Sequence, residues 1–317
     1  MGFIVKRLTI TVPTLILVSI LTFGAFRLIP GDAALLSLGT EASAEQVEAL
    51  RAEMGLDKSF PVQYFSWLKG FLTGKLGNSS RFRGISISEI ILERIPVTFA
   101  LAGFSFFLII LIAVPVSIFS VKKKNSILDR FVTTLTAINI SVPGFFLGVL
   151  FIWIFGILLK LFVPGAYVSY SEDTFAFFSY LFFPALAIAL PNAALVVKFL
   201  RSSIFHEFQS GYVRTARSKG AERPKILRRH VLKNASLPVI TLLGMVAGEI
   251  LSGSIVIEQV FGIPGIGRLL LASISSRDYL VIETIIIYIA VVVVLANTLA
   301  DIVLQIIDPR IRLGERV

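Results

Sequence analysis

The stretch Gly70-Phe71-Leu72-Thr73-Gly74-Lys75-Leu76 comes nearest to a catalytic motif in this chain. A phosphate-binding loop needs four residues between its glycines and a Ser or Thr after the Lys, whose hydroxyl reaches the magnesium ion. Here three residues intervene and Leu76 follows Lys75, so that chemistry is missing. His206-Glu207 has no second histidine four residues on and cannot form a two-histidine zinc helix. His206 and His230 are the only histidines, and cysteine is absent, which excludes disulfides and thiolate metal sites. No nucleophile elbow is present either. These residues predict no catalysis, no metal and no bound cofactor in this chain, so any energy for work comes from an ion gradient or another protein.

The elements that carry the remaining polar residues are strongly apolar. Mean hydropathy is +0.86 and 56% of the 317 residues are hydrophobic, well above a soluble domain. Crossing the hydrocarbon core takes about 20 apolar residues. Six runs qualify: Leu8–Phe26, Val97–Val121, Ala137–Leu159, Thr174–Val197, Leu237–Ile257 and Tyr279–Ile307. The expected fold is all-α, a polytopic membrane bundle of six transmembrane helices. Lys6-Arg7 before the first run could open a signal peptide, but the run is long and no small-x-small cleavage site follows, so it reads as a retained span. Pro115, Pro143, Pro184 and Pro191 fall inside runs. A bundle tolerates such kinks because neighbours satisfy the freed carbonyls.

Charge sets the expected orientation. The net charge of +10 could suit nucleic acid, but in a membrane protein it reads as the positive-inside bias. Lys6, Arg7, Lys122, Lys123, Lys124, Arg130, Arg201, the basic residues from Arg214 to Lys233, and Arg310, Arg312 and Arg316 all fall on one side of a six-span topology. The opposite short connections carry only Lys160, Arg268 and Arg277. Both termini and the basic loop are therefore expected in the cytoplasm. The long first connection should hold two external helical pieces, one capped by Ser43 and one over PVQYFSWLKGFLTGKLGN.

Ion-driven carriers place ionisable residues inside their spans. Glu249, Asn297 and Asp301 are the intramembrane polar candidates, with Glu283 near an external end. They are scattered, show no proton relay, and read first as hydrogen-bonding groups between helices. Gly244, Gly248 and Ser252 recur every four residues and form a small-residue stripe that would admit a neighbouring helix, of a second subunit or of the same bundle, at close range.

Tyr212 to Ile240, YVRTARSKGAERPKILRRHVLKNASLPVI, is basic between two greasy spans, with eight Lys and Arg from Arg214 to Lys233. Gly220 permits a left-handed turn, so a surface helix, a glycine turn and a second helix ending near Pro238 are expected. Val213, Ala216, Ile226, Leu227 and Val231 give that unit a face to bury. An amphipathic element resting on anionic lipid satisfies the same spacing.

The stretch resembles the cytoplasmic coupling loop of ABC importer permeases, and within them the dipeptide, oligopeptide and nickel branch, through Tyr212, Val213, Arg214, Thr215, Ala216, Arg217, Lys219, Gly220, His230, Leu232, Asn234, Leu237 and Pro238. Arg214-Thr215-Ala216 stands where the wider family has Glu-Ala-Ala. FRLIPGD after the first run, MGLDKSFPVQYFSWL, GKLGNS, EQVFGIPGIGRLLLASISSRDY and NTLADIVLQIIDPRIR resemble that branch in order, like the first of its two permeases. The resemblance implies a coupling loop over 201–238 with Tyr212, Arg214, Thr215, Ala216, Lys219, Gly220, His230, Asn234 and Pro238 as its candidate ATPase contacts. It implies a first region over 1–96 and a permease core over 97–317. It implies as partners two cytoplasmic ATPase subunits that bind ATP and Mg, a second homologous permease, a solute-binding protein outside, and lipid, in a bacterial or archaeal inner membrane, with no nucleic acid. Glu258, Phe261, Pro264, Gly265, Arg277 and Asp278 are the candidate external gate or binding-protein contact, with a plain connector as the competing reading. Peptides are the expected substrate. Nickel complexes, oligosaccharides and a stand-alone secondary carrier are the alternatives, and a carrier would show inverted repeats, which are not evident.

Overall fold

The computed structural model describes residues 2–28, 43–53, 55–79, 81–82 and 85–307. Part of the FRLIPGD motif and the basic residues Arg310, Arg312 and Arg316 lie outside them. The described chain is helical: α1 (Gly2–Leu28), α2 (Ala44–Glu53), α3 (Phe60–Thr73), α4 (Ile87–Lys122), α5 (Ile127–Ser141), α6 (Gly144–Phe151, continued by a π-helix Ile152–Leu158), α7 (Thr174–Glu207), α8 (Gly211–Ser218), α9 (Arg223–Ile226, continued by a π-helix Leu227–Val231), α10 (Leu232–Phe261), α11 (Ile266–Ser276) and α12 (Tyr279–Ile307). Among the described residues, five helical stretches are long and apolar enough to cross a membrane, and the bent pair α5–α6 brings the number to six when taken as one broken span.

Hydropathy located these helices but not their ends. The second span was expected to begin at Val97, yet α4 begins at Ile87. Ser86, extended at φ −65°, precedes it, and Glu89 sits in the first turn where a negative charge is favoured. The polar turns around Glu89, Glu93 and Arg94 belong to the same helix as the apolar run. Likewise Leu237–Ile257 is only the apolar part of a stretch running from Arg223 to Phe261. The second helix of the basic loop was expected to end near Pro238, but it passes through Pro238 without stopping. The third span departs furthest. Ala137–Leu159 was expected as one kinked helix, and it is two helices meeting at 101°. Pro143 supplies no N–H, and a residue before proline is pushed out of the helical region; Val142 accordingly sits at φ −95°, ψ 122°.

α7 is the central helix and packs against α4, α5, α6 and α10. Its Ala185, Ala187, Ala189 and Ala193 are buried, and such small side chains let backbones approach where lipid gives no hydrophobic drive. Leu101 and Ile109 of α4 and Leu181 and Ile204 of α7 are fully buried in this core. A second core joins Ile87 and Ile91 to Leu269, Val281 and Ile285.

Both expected helices of the first connection form. Ser43 Oγ accepts from Gln46 N at 3.2 Å and Gln46 Oε1 accepts from Ser43 N at 3.0 Å, a reciprocal capping box on α2. α3 ends at Gly74 in the left-handed region, φ 72°. It lies on α1: Phe23 is fully buried against Phe60, Tyr64 and Trp67, and the Ser19 and Tyr64 hydroxyls are 2.8 Å apart.

The small-residue stripe finds its partner within the chain. Gly244 and Gly248 face α12, where a Cβ on Gly244 would stand 2.2 Å from Ala300 Cβ and one on Gly248 3.3 Å from Val293 Cγ1. Ser252, by contrast, is exposed. Gly244→Val should therefore force α10 and α12 apart and destabilise the fold by roughly 1–3 kcal/mol, as overpacking does. Ser252→Val should change little. Thermal unfolding of the purified protein distinguishes the two; equal transitions would place the α10–α12 contact elsewhere.

Candidate functional site

Two polar constructions stand at opposite ends of the bundle. The first is built on the basic loop. α7 ends at Glu207, and Ser210 leads into α8. Gly220, at φ 80°, turns the chain into α9. The expected helix–glycine turn–helix is therefore present. Val213, Ile226 and Val231 are fully buried, and Ala216 packs partly against the same core, so it does not offer a whole face outward. Arg214, Thr215, Lys219, Gly220, His230, Asn234 and Pro238 are exposed. Tyr212 donates to the Glu207 carboxylate and also bonds the Asn234 side chain. Burial, with Glu207 adding to it, holds the phenol above its ordinary pKa, so Tyr212 remains a donor at neutral pH. Arg223 lies over the Phe208 ring at 5.3 Å, a cation–π contact that fixes α9 to the end of α7.

Beneath the loop lies a buried ion pair that the motifs did not signal. Asp129 accepts from Ser120 Oγ at 2.5 Å and Asn125 N at 3.0 Å, and Arg201 Nη2 stands 2.9 Å from its Oδ1. Arg201 Nη1 also donates to Thr133 at 2.8 Å. Both charges are paired and hydrogen-bonded, the condition under which burial is tolerated. The pair fastens α5 to α7 where the basic loop leaves the bundle. The available signal was Ser126 three residues before Asp129, a cap that α5 uses.

The second construction gathers Glu258, Phe261, Pro264 and Gly265. α10 stops at Gly262, φ 72°, and the chain turns into α11 within four residues. Glu258 is fully buried. Its Oε2 accepts from the amides of Gly267 at 2.7 Å and Arg268 at 3.1 Å, and its Oε1 accepts from Thr98 Oγ1 at 2.7 Å. Thr98 in turn accepts from Ile266 N at 2.9 Å. Three first-turn amides of α11, which no intrahelical carbonyl can serve, are thus satisfied by one carboxylate and one hydroxyl. The positive end of the helix dipole favours the charge there. The geometry leaves no room for side chains: a Cβ on Gly265 or Gly267 would lie 2.3 Å from Glu258 Cδ or Ile255 Cα. Tyr180 of α7 donates to the Phe261 carbonyl and accepts from Gly165 N at 3.0 Å. This point binds α4, α7, α10 and α11 together. Thr98 and Tyr180 went unmarked in the sequence, because neither belongs to a motif.

Asp278, also buried, accepts from Ser79 Oγ at 2.5 Å and Arg81 N at 3.2 Å and so ties the first connection to the α11–α12 turn. Arg277 is exposed in the left-handed region. Of the intramembrane candidates, Glu249 lines a cavity of about 470 Å³ beside the Pro143 bend, Asn297 is exposed and Asp301 half-buried on α12. The structure brings none of these three together. No cluster of metal-ligating side chains exists among the described residues.

Two family models together span most of the chain. Residues 109–313 match the binding-protein-dependent transport system inner membrane component, and residues 1–102 match the N-terminal part of the same component. The chain belongs to this family. Similar proteins include a probable peptide ABC transporter permease of Sinorhizobium fredii, 33% identical over 98% of this chain and 99% of its own. The oligopeptide transport system permease protein AppB of Bacillus subtilis is 33% identical over 98% and 99%, and the glutathione transport system permease protein GsiC of Pectobacterium atrosepticum 36% over the same shares. In fold, the inner membrane component is similar to a chain of the MetNI methionine ABC transporter in an inward-facing conformation, with a TM-score of 0.56 at 18% identity over 69% of this chain and 96% of that one.

The Glu258 junction should behave as one unit. Glu258→Ala leaves two buried amides unserved, at about 1–3 kcal/mol each. Thr98→Val alone should destabilise less, and the double variant should lose much less than the two added together, because both act on the same helix end. Unfolding midpoints of the three variants measure this; strict additivity would mean that the two residues act independently.

Proposed function

We propose that this chain is the first of two permease subunits of an ATP-driven importer for peptides, and that α8, the Gly220 turn and α9 receive its cytoplasmic ATPase subunits. One observation carries the reading. Tyr212 fixes the exposed helix α8 to the ends of two long helices through Glu207 and Asn234, Arg223 ties α9 to Phe208, and the helical stretch beginning at Arg223 continues through the π-helix to Phe261. It ends three residues beyond Glu258. A displacement of the surface helix therefore has one continuous lever to the opposite end of the bundle. The π-helix at Leu227–Val231 lies just inside the lever, and such segments within α-helices are frequent at functional sites.

The reading keeps a first region over 1–96 and a core over 97–317, with α4 crossing that boundary as a single helix. The Lys and Arg asymmetry supports cytoplasmic termini and basic loop, with α11 on the outside in a bacterial or archaeal inner membrane. There the exposed Arg268, Ile274 and Arg277 are available to a solute-binding protein, while Glu258, Phe261 and Gly265 are buried behind them. ATP and Mg would be held by the partner subunits, and this chain would carry no catalytic group. The peptide-transporting relatives support the substrate class.

Gly220→Val tests the reading. Nothing stands within 4 Å of a Cβ at Gly220, so the substitution meets no clash, only the strain of φ 80°. Insertion and capture of peptide by the binding protein should persist. Peptide-stimulated ATP hydrolysis and uptake should fall together, by about tenfold or more if the strain of about 1–3 kcal/mol loosens the docked turn. If Arg228→Gln with Arg229→Gln abolished uptake while Gly220→Val left it whole, the loop would be a lipid contact instead.

A further inference from the structure

Two cavities lie end to end along the open face of α5 and α7, and Ile140 and Ser141 line both. The first, about 470 Å³, sits beside the Pro143 bend and is closed on its other sides by Pro191, Asn192 and Glu249. Glu249 is the only charged residue lining it. The second, about 650 Å³, lies nearer the basic end and is lined by Thr133, Ser202, Lys198 and Arg201, with no acid. Arg201 is committed to Asp129, which leaves Lys198 as the free cation. Among the described residues, no ion pair or side-chain hydrogen bond engages the Glu249 carboxylate or the Lys198 ammonium, and both residues are exposed. A charge inside a span is costly unless it faces water or a partner. Two uncommitted opposite charges facing one continuous groove point to a ligand that carries both.

The spacing limits that ligand. Lys198 lies six residues beyond Asn192 on α7, about 9 Å along the axis at 1.5 Å per residue. An extended chain spans about 3.3–3.6 Å per residue, so two or three residues bridge this interval. We propose that the two cavities form a transit site for a short zwitterionic peptide, its protonated amine held by Glu249 with Asn192 and its carboxylate by Lys198. The peptide would then move amine-last toward the basic end. Neither charge binds the other directly, so each is matched only while a peptide lies between them. This inference rests on the reading of the chain as a peptide permease.

The test uses the assembled importer in proteoliposomes, with its second permease, ATPase subunits and binding protein, and tri-alanine as probe. Glu249→Lys and Lys198→Glu should each lower ATP-driven uptake by about tenfold or more, as loss of a charge-assisted contact does. Binding-protein affinity for tri-alanine should not change. The double variant Glu249→Lys with Lys198→Glu should recover most of the uptake, because a reversed peptide again meets opposite charges. A double variant no better than the worse single one, or single variants with unchanged uptake, would overturn the site. Should the reversed variants fail to co-purify with their partners, Glu249→Gln and Lys198→Gln decide: each should cut uptake several-fold, about two- to fivefold for one lost charge, and full uptake in both overturns the proposal. An unmodified importer that takes up no tri-alanine or other peptide would instead end the peptide reading itself.

Discussion

The fold depends on how one buried carboxylate is accommodated. Glu258 sits at the end of the longest helical stretch, wholly out of solvent, where an unmatched charge would be untenable. Two backbone amides and a hydroxyl reach it, all from the turn that follows and the helix beside it. The amides need a partner as much as the carboxylate does, since they open a helix and have no carbonyl behind them. Each deficiency therefore cancels the other. The two glycines at 265 and 267 allow this, because any Cβ there would occupy the space of Glu258 or of the α10 backbone. A sharp reversal between α10 and α11 becomes a rigid corner, and Tyr180 extends it to α7 through the Phe261 carbonyl.

The corner at one end has a counterpart at the other. The basic end also has a buried charge, Asp129, but it is matched by a side chain, Arg201, rather than by backbone. Arg201 Nε is buried with no hydrogen-bond partner, so this pair is less completely satisfied than the Glu258 corner. The joint between α5 and α7 is thus the softer of the two. α5 runs from this joint to the 101° bend at Pro143, where the helical ladder is broken. The Glu258 corner and the Asp129–Arg201 joint stand at opposite ends of the bundle, and the helical stretch from Arg223 to Phe261 runs from one end to the other.

Much of this was legible in the sequence because it rests on local rules. Apolar run length placed the spans, Ser43 announced the α2 cap, and Gly220 announced its left-handed turn. What stayed hidden depends on distant partners. The stripe Gly244 and Gly248 showed that a helix would approach, but not that the helix is α12 of the same chain. Thr98 and Glu258 are 160 residues apart, and no spacing rule joins them. Helix ends were missed where charged turns continue an apolar helix, as from Ile87 to Pro96, because hydropathy measures contact with lipid and not hydrogen bonding. Pro143 was marked as a kink. Whether a proline bends or breaks a helix depends on whether its neighbours accept the freed carbonyls, and here the residue before it has left the helical region altogether.

The acids sort by what meets them. Glu258 is met by backbone, Asp278 by a hydroxyl and an amide, and Asp129 by a guanidinium and a hydroxyl. All three are buried and all hold helices or connections together. Glu283 is buried too, with one oxygen unpartnered, but it faces no cavity among those described. Glu249 differs on each count: it is exposed, it lines open space, and nothing in the described chain engages its carboxylate. Structural carboxylates in an apolar bundle acquire partners because the cost of leaving them bare exceeds the cost of ordering a donor. A carboxylate that has none and faces open space is held in readiness for a charge that comes and goes. Lys198 stands in the same condition with the opposite sign, one cavity further along. The structural acids thus hold the helices to one another, and the unmatched pair is left to meet what passes along the groove.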